Sequence, residues 1–373
     1  MLLAVALRVV TALVAFVVNT NLPLERPEQF TVLADTHPFW DTFARNDSGW
    51  YYGIASRGYQ WVEGGRSNLA FFPAYPLLMG VLGRAFGGTQ ADVYFAGIVL
   101  SWVASIAAIG VVYAVARLDL PAERAWHAAL LTFVFPFAFF FGVVYAEGLF
   151  LLGLATAIFG LRTQRWWLGA AAGALMTATR VNGVMAVPAL LWLAWVSAPP
   201  TRGGRVRALA AGAATSLGVV AYSAYNWGVT GDPFEWYHAI TRWGYYPGAT
   251  VAGNPLVALV ANLLSRPYDY LVTEHAAPYD LLNGLFPVVM AASLPWLWRR
   301  LGTGYALVIA ANLALPLSSG QFEGLGRYSA VLFPFQIWLA SVSQPAGLTG
   351  IYVGYVVLYG LALTLFTTLH PLF

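Results

Sequence analysis

Residues 70–86 read AFFPAYPLLMGVLGRAF. Whether this run crosses a bilayer sets the side of every loop that follows it. It opens with Phe72-Pro73 and Tyr75-Pro76 and runs into Gly87-Gly88. Before it lies the apolar run 2–18, whose one charge is Arg8 and which no small-residue cleavage site follows. That run reads as a retained first span rather than a cleaved signal peptide. After it come apolar runs at 91–116, 125–141, 143–161, 166–179, 183–197, 206–226, 279–298, 302–317, 328–342 and 349–369. If 70–86 does not cross, one side collects Arg8, Arg117, Arg124, Arg162, Arg165, Arg202, Arg205, Arg207, Arg299 and Arg300. Asp119 and Glu123 alone oppose them, a net of +8. The other side then holds nine arginines against fourteen acids, a net of −5, and together the sides give the chain's +3. If 70–86 crosses, the bias largely disappears. The positive side is the cytoplasmic one, so the expected protein is an all-α polytopic membrane protein of about eleven spans. Its N-terminus is inside, and 19–90 forms a first outer loop.

Composition points the same way. Of 373 residues, 59% are hydrophobic and 9% charged, against roughly 25% charged in a soluble domain. A water-soluble enzyme and a disordered chain are both excluded. With no cysteine there is no disulfide scaffold, thiolate metal site or cysteine nucleophile. All 19 basic residues are arginine, so Schiff-base chemistry and a Walker-type lysine are excluded too. No soluble domain or clear repeat interrupts the chain, and residues 1–373 read as a single membrane domain. Gly169 and Gly173 have the spacing of close helix packing.

Ionisable groups in or beside spans are costly and usually functional. On this topology Asp47, Glu147, Arg180, the 231–246 loop, Glu323 and Arg327 fall on the outer face, while the inner loops are arginine-rich stubs. In RNDSGWYYGIASRGY (45–59), Asp47 and Ser48 could cap a short helix running to Ala55. Trp50, Tyr51 and Tyr52 would lay that helix in the interface. Asp47 is then either a plain N-cap or a carboxylate positioned at the lipid–water boundary, with Arg45 beside it to keep it ionised. Residues 70–78 have the composition of a second interfacial helix. In FPFAFFFGVVYAEGLF (135–150), Pro136 and Gly142 would turn the chain between spans. Glu147 there should pair with Arg180 or serve a ligand. Arg327 offers a planar fork suited to phosphate oxygens, with interfacial snorkelling as the alternative. There is no HExxH, metal-spaced His pair, GxSxG or P-loop. Asp41 and Asp47 could share a divalent ion, but their spacing is a weak signal. No metal and no cofactor is expected.

Six segments in order extend this reading: NDSGWYYGIASRGY (46–59), AFFPAYPLL (70–78), FPFAFFFGVVYAEGLF (135–150), TRVNG (179–183), GDPFEWYHAITRWG (231–244) and GRYSAVLFP (326–334). With them the chain resembles the GPI mannosyltransferase II (PIG-V) family and its prokaryotic relatives, polytopic enzymes of the C-type glycosyltransferase fold. Asn46 departs from the family, which commonly has Trp before the Asp. The resemblance implies an inverting transfer of a sugar, mannose first, from a polyprenyl- or dolichyl-phosphate donor to a lipid-linked or glycan acceptor. It implies an acidic base in the first outer loop, and Asp47 occupies that position. Arg327, Glu147, Arg180, Tyr328 and Trp243 form the expected donor-phosphate and substrate-binding set. The short chain without lysine fits a prokaryotic plasma membrane, with the site on the extracytoplasmic face and no nucleic-acid partner. The rival reading is a transporter or flippase of lipid-linked sugars, which would place ionisable residues near the midplane of repeated halves.

Overall fold

The computed structural model describes residues 2–25, 32–33, 36–243, 277–317, 324–370 and 372. Among them every regular element is helical. The first helix, α1 (Leu2–Asn21), buries Ala4, Arg8, Ala12 and Ala15. This stripe has helical period and is made chiefly of small residues. Leu2, Val5, Val9, Val10, Leu13 and Val17 point outward. Large apolar side chains facing out, with small ones at the packing seam, suit lipid as the solvent.

After α1 the chain carries α2 (Pro38–Asp41), α3 (Ser48–Arg57) and α4 (Ala74–Phe86). At 13 residues, α4 is about 20 Å long, short of a hydrocarbon core of about 30 Å. It packs on the start of α5 (Gln90–Ala116): the Tyr75 hydroxyl donates to Gly97 O at 2.9 Å and meets Ser101 Oγ at 2.8 Å. Gly83, nearly a full helix length on, lies against Val93. The two helices are therefore antiparallel. A reciprocal Thr89–Asp92 capping box starts α5.

The Phe-rich run does not continue as helix. After α6 (Ala122–Phe133) the chain is irregular apart from a short 3-10 turn at Ala138–Phe141, and α7 (Glu147–Arg162) begins at the acid itself. Nearly all of 134–146 is buried. Irregular backbone at membrane depth is tolerated when protein covers its polar groups, and here side chains reach in to do so. Arg8 Nη1 and Nη2 donate to Ala138 O at 3.3 Å, Trp102 Nε1 to Gly142 O at 2.9 Å, and Ser101 Oγ to Tyr145 O at 3.2 Å. Arg8, expected to be a topology signal, is thus a packed residue, 2% exposed, with its guanidinium 4.1 Å from the Phe133 ring.

Next come α8 (Trp166–Thr177), α9 (Asn182–Ser197), α10 (Arg202–Ala214), α11 (Leu217–Thr230) and α12 (Glu235–Arg242). A Cβ on Gly169 would meet Leu161 of α7 at 2.8 Å, and one on Gly173 would meet Thr215 at 2.4 Å. The glycine pair is a packing seam, as its spacing suggests. The chain ends with α13 (Ala277–Leu301), α14 (Thr303–Leu317), α15 (Leu325–Ala330), α16 (Pro334–Val342) and α17 (Pro345–Thr367). The expected run 328–342 is split at Pro334, which cannot continue a helix.

By length and composition, four described helices could cross a membrane: Leu2–Asn21, Gln90–Ala116, Leu281–Leu301 and Pro345–Thr367. The count is five if α10 and α11, bent by 45° at their junction, form one span. The other expected spans are shorter helices, and buried irregular chain joins α6 to α7. The arginine-rich loops are more than stubs: Arg162 pairs with Asp119, Tyr305 donates to the same carboxylate at 2.9 Å, and Arg124 caps Ala340 O at 3.1 Å.

Candidate active site

Four charged side chains from four parts of the chain meet beside the irregular segment. Asp47 stands at the N-cap position of α3, just after Asn46, whose left-handed φ of 49° suits Asn better than most residues. Asp47 makes no cap hydrogen bond with its side chain, so the plain-cap reading does not describe it. Its carboxylate instead accepts from Arg327 Nη1 at 2.7 Å, and its backbone N–H donates to the Tyr145 hydroxyl at 3.2 Å.

Arg327 is positioned by the glycine before it. A Cβ on Gly326 would meet the Phe137 ring at 2.2 Å, and the Gly326 N–H donates to Asn283 Oδ1 at 3.2 Å. Arg327 Nε also lies 3.4 Å from Glu147 Oε1. Arg180, between α8 and α9, pairs with that same oxygen and sits 5.0 Å over the Tyr328 ring. Glu147 opens α7, where an acid is favoured by the exposed N–H groups of the helix end. Side-chain exposure grades outward from Glu147 (0%) through Arg180 (10%) and Arg327 (14%) to Asp47 (28%). Asp47 is the carboxylate that an incoming molecule reaches.

The partner expected for Asp47 belongs elsewhere. Arg45 pairs with Asp41, four residues back, and donates to Asn19 Oδ1 at 2.8 Å. The other oxygen of Asp41 accepts the N–H groups of Val32 and Leu33 at 2.9 and 2.7 Å. Both members of this pair are buried. Burial pulls the Arg45 guanidinium below the usual arginine value, and the Asp41 charge opposes that pull. Asp41 is therefore a staple of the loop, with both carboxylate oxygens engaged.

Two tyrosines absent from the expected set join the site. The Tyr51 ring lies 5.0 Å from Tyr75 and 6.1 Å from Tyr145. Burial raises its pKa above the usual tyrosine value. The Glu147 charge adds to that shift, and Arg180, Asp47 and Arg327 are also felt. Tyr51 thus stays a neutral phenol beside the charged cluster. Tyr145 holds the Asp47 N–H and lies 5.4 Å from the Arg327 guanidinium carbon. Of the three aromatics expected at the interface, Trp50 is exposed, whereas Tyr51 turns inward and Tyr52 stacks on Tyr94.

Trp243 reaches the rim rather than the charged cluster. Its ring lies edge-on to Trp50 at 4.9 Å, with Arg66 5.2 Å above it, and its Nε1 donates to Ser67 O at 3.2 Å. Glu323 lies outside the described residues. Among those described, one group of three metal-capable side chains occurs, Asp232, Glu235 and His238. His238 already bonds to Asp232 at 2.7 Å, and Glu235 pairs with Arg242. Chemically, the main cluster offers an accessible proton acceptor beside two guanidinium forks able to hold an anion.

No protein-family model matches the chain, and neither does any curated protein. Among solved structures it is similar to ArnT from Cupriavidus metallidurans bound to undecaprenyl phosphate. The TM-score is 0.56 at 13% identity, covering 100% of this chain and 76% of that one. It also matches the apo oligosaccharyltransferase of Archaeoglobus fulgidus, with a TM-score of 0.47 at 11% identity over 99% of this chain and 56% of that one. The archaeal AglB in complex with an inhibitory peptide and a dolichol-phosphate gives 0.43 at 12% identity, over 98% and 56%. The likeness to ArnT shows a shared fold, and the four described helices long and apolar enough to cross a membrane agree with a multi-pass membrane protein.

Proposed function

We propose that the chain is an inverting glycosyltransferase that takes a sugar, mannose first among candidates, from a polyprenyl- or dolichyl-phosphate donor. It passes the sugar to a lipid-linked or glycan acceptor on the outer face of the membrane. The proposal includes about eleven crossings, membership among the prokaryotic relatives of the PIG-V family, and residence in a prokaryotic plasma membrane. One observation carries the reading: the accessible carboxylate of Asp47 stands 2.7 Å from Arg327, with Glu147 and Arg180 behind it.

The chemistry needs few groups. A phosphate leaves C1 without strong acid catalysis, whereas an acceptor hydroxyl must lose its proton. Asp47 takes that proton as the acceptor oxygen attacks C1 from the face opposite the phosphate. One displacement inverts the anomeric centre. Charge grows on the departing phosphate, and Arg327 and Arg180 stabilise it. Glu147 holds the two guanidinium groups at their spacing, Tyr328 lies against Arg180, and Trp243 lines the rim where an acceptor would approach. A flippase reading draws no support from this layout, because Asp47, Glu147, Arg180 and Arg327 meet in one place rather than in matching positions of repeated halves.

The test is incubation of purified protein with radiolabelled polyprenyl-phosphate mannose and candidate acceptors, followed by product analysis. Transfer with inversion supports the reading. Absence of transfer across lipid-phosphate sugars, together with movement of intact donor between leaflets, would replace it with the flippase.

A further inference from the structure

Among the described residues the cluster sets two carboxylates, Asp47 and Glu147, against two guanidinium groups, Arg180 and Arg327. A donor phosphate brings a further negative charge, which competes with the two carboxylates for the guanidinium groups. Glu147 is poorly placed to give way. It is fully buried at the start of α7, and its Oε1 faces both guanidinium groups. Asp47 is the more exposed, and no cap hydrogen bond ties its carboxylate to the helix. While a carboxylate oxygen of Asp47 accepts from Arg327 at 2.7 Å, that oxygen is engaged by the guanidinium rather than turned to an acceptor hydroxyl.

We infer that Asp47 and the lipid phosphate are competing ligands of Arg327, so that donor binding itself releases Asp47 to act as base. The inference rests on the function proposed above. The donor's phosphodiester oxygens take the Arg327 fork, and the displaced carboxylate turns to the acceptor hydroxyl. The acceptor oxygen then bonds to C1 and its proton passes to Asp47. The bond from C1 to the phosphate oxygen breaks, and its electron pair stays on that oxygen. The product phosphate now carries more negative charge, and Asp47 carries none. Once Asp47 returns its proton to water, its charge competes for Arg327 again and drives the product phosphate out. One ion pair thus withholds the base in the absence of donor and favours release after transfer.

The measurement is equilibrium binding of farnesyl phosphate to the purified full chain, with farnesol as the uncharged control. Asp47→Asn removes the competing anion and keeps the shape. It should bind farnesyl phosphate about five to ten times more tightly than the parent protein. That gain should vanish in an Arg327→Ala background, because the competition is for that guanidinium. Asp47→Ser, which also suits an N-cap position, replaces Asn if the first variant folds poorly. Equal or weaker binding by Asp47→Asn, or a gain that persists without Arg327, overturns the exchange while leaving the glycosyltransferase reading standing. If neither protein prefers farnesyl phosphate to farnesol, the lipid-phosphate reading falls, and the exchange falls with it.

Discussion

The hydroxyl of Tyr145 accepts the backbone N–H of Asp47 at 3.2 Å, joining the start of α3 to the buried segment ahead of α7. Tyr145 thereby fixes the start of α3 relative to Arg327. Tyr145→Phe removes one hydrogen bond, worth about 1 kcal/mol in stability, and frees the base to drift. A small misplacement at a reacting centre is costly. Turnover should fall about tenfold with a near-normal melting temperature. A variant with unchanged turnover would show that Asp47 is positioned without Tyr145.

Arg327→Lys keeps the charge and loses the planar fork. Donor use should weaken partially in Arg327→Lys and strongly in Arg327→Ala, where a charged hydrogen bond of about 1.5–3 kcal/mol is lost. The readout is KM and kcat/KM for the lipid-linked donor. Donor dependence that stays the same in Arg327→Ala would remove Arg327 from phosphate binding.

Asp41 and Asp47 should respond in opposite ways. Asp41→Asn leaves Arg45 charged and buried without its counter-ion, a loss of about 3–5 kcal/mol of stability. Its thermal unfolding should shift steeply downward, while the folded fraction keeps its turnover. Intact stability with lost turnover would instead move the catalytic role to Asp41.

The convergence of Asp47, Glu147, Arg180 and Arg327 is legible in the sequence because ionisable residues stand out in a chain with only 9% charged residues. Tyr51 and Tyr145 are hidden among 20 tyrosines. What selects them is burial next to charge, which no local pattern encodes. The Arg45–Asp47 pairing misleads because nearness along the chain does not set side-chain direction. At the turn after α2, Arg45 reaches back four residues, a spacing that brings side chains together, and Asp47 is left to a partner 280 residues away. The Phe-rich stretch misleads for another reason. A segment buried on every side has no apolar period, so helix and irregular core look alike.

Sidedness has its own test, helped by the absence of native cysteine. Thr36 and Thr201 are both exposed, and the charge bias puts them on opposite sides of the membrane. In intact cells Thr36→Cys should react with an impermeant thiol reagent and Thr201→Cys should be protected. Equal labelling of both from outside would invert or break the assigned topology.

Asp47→Asn, assayed for sugar transfer, addresses the central claim most directly. Asn suits an N-cap position about as well as Asp, so helix α3 should form normally. Only the ability to take a proton is removed. If Asp47 is the base, turnover with polyprenyl-phosphate mannose and acceptor falls about 10²–10⁴-fold, while the protein folds and still binds donor. Near-normal turnover by folded Asp47→Asn would contradict the account.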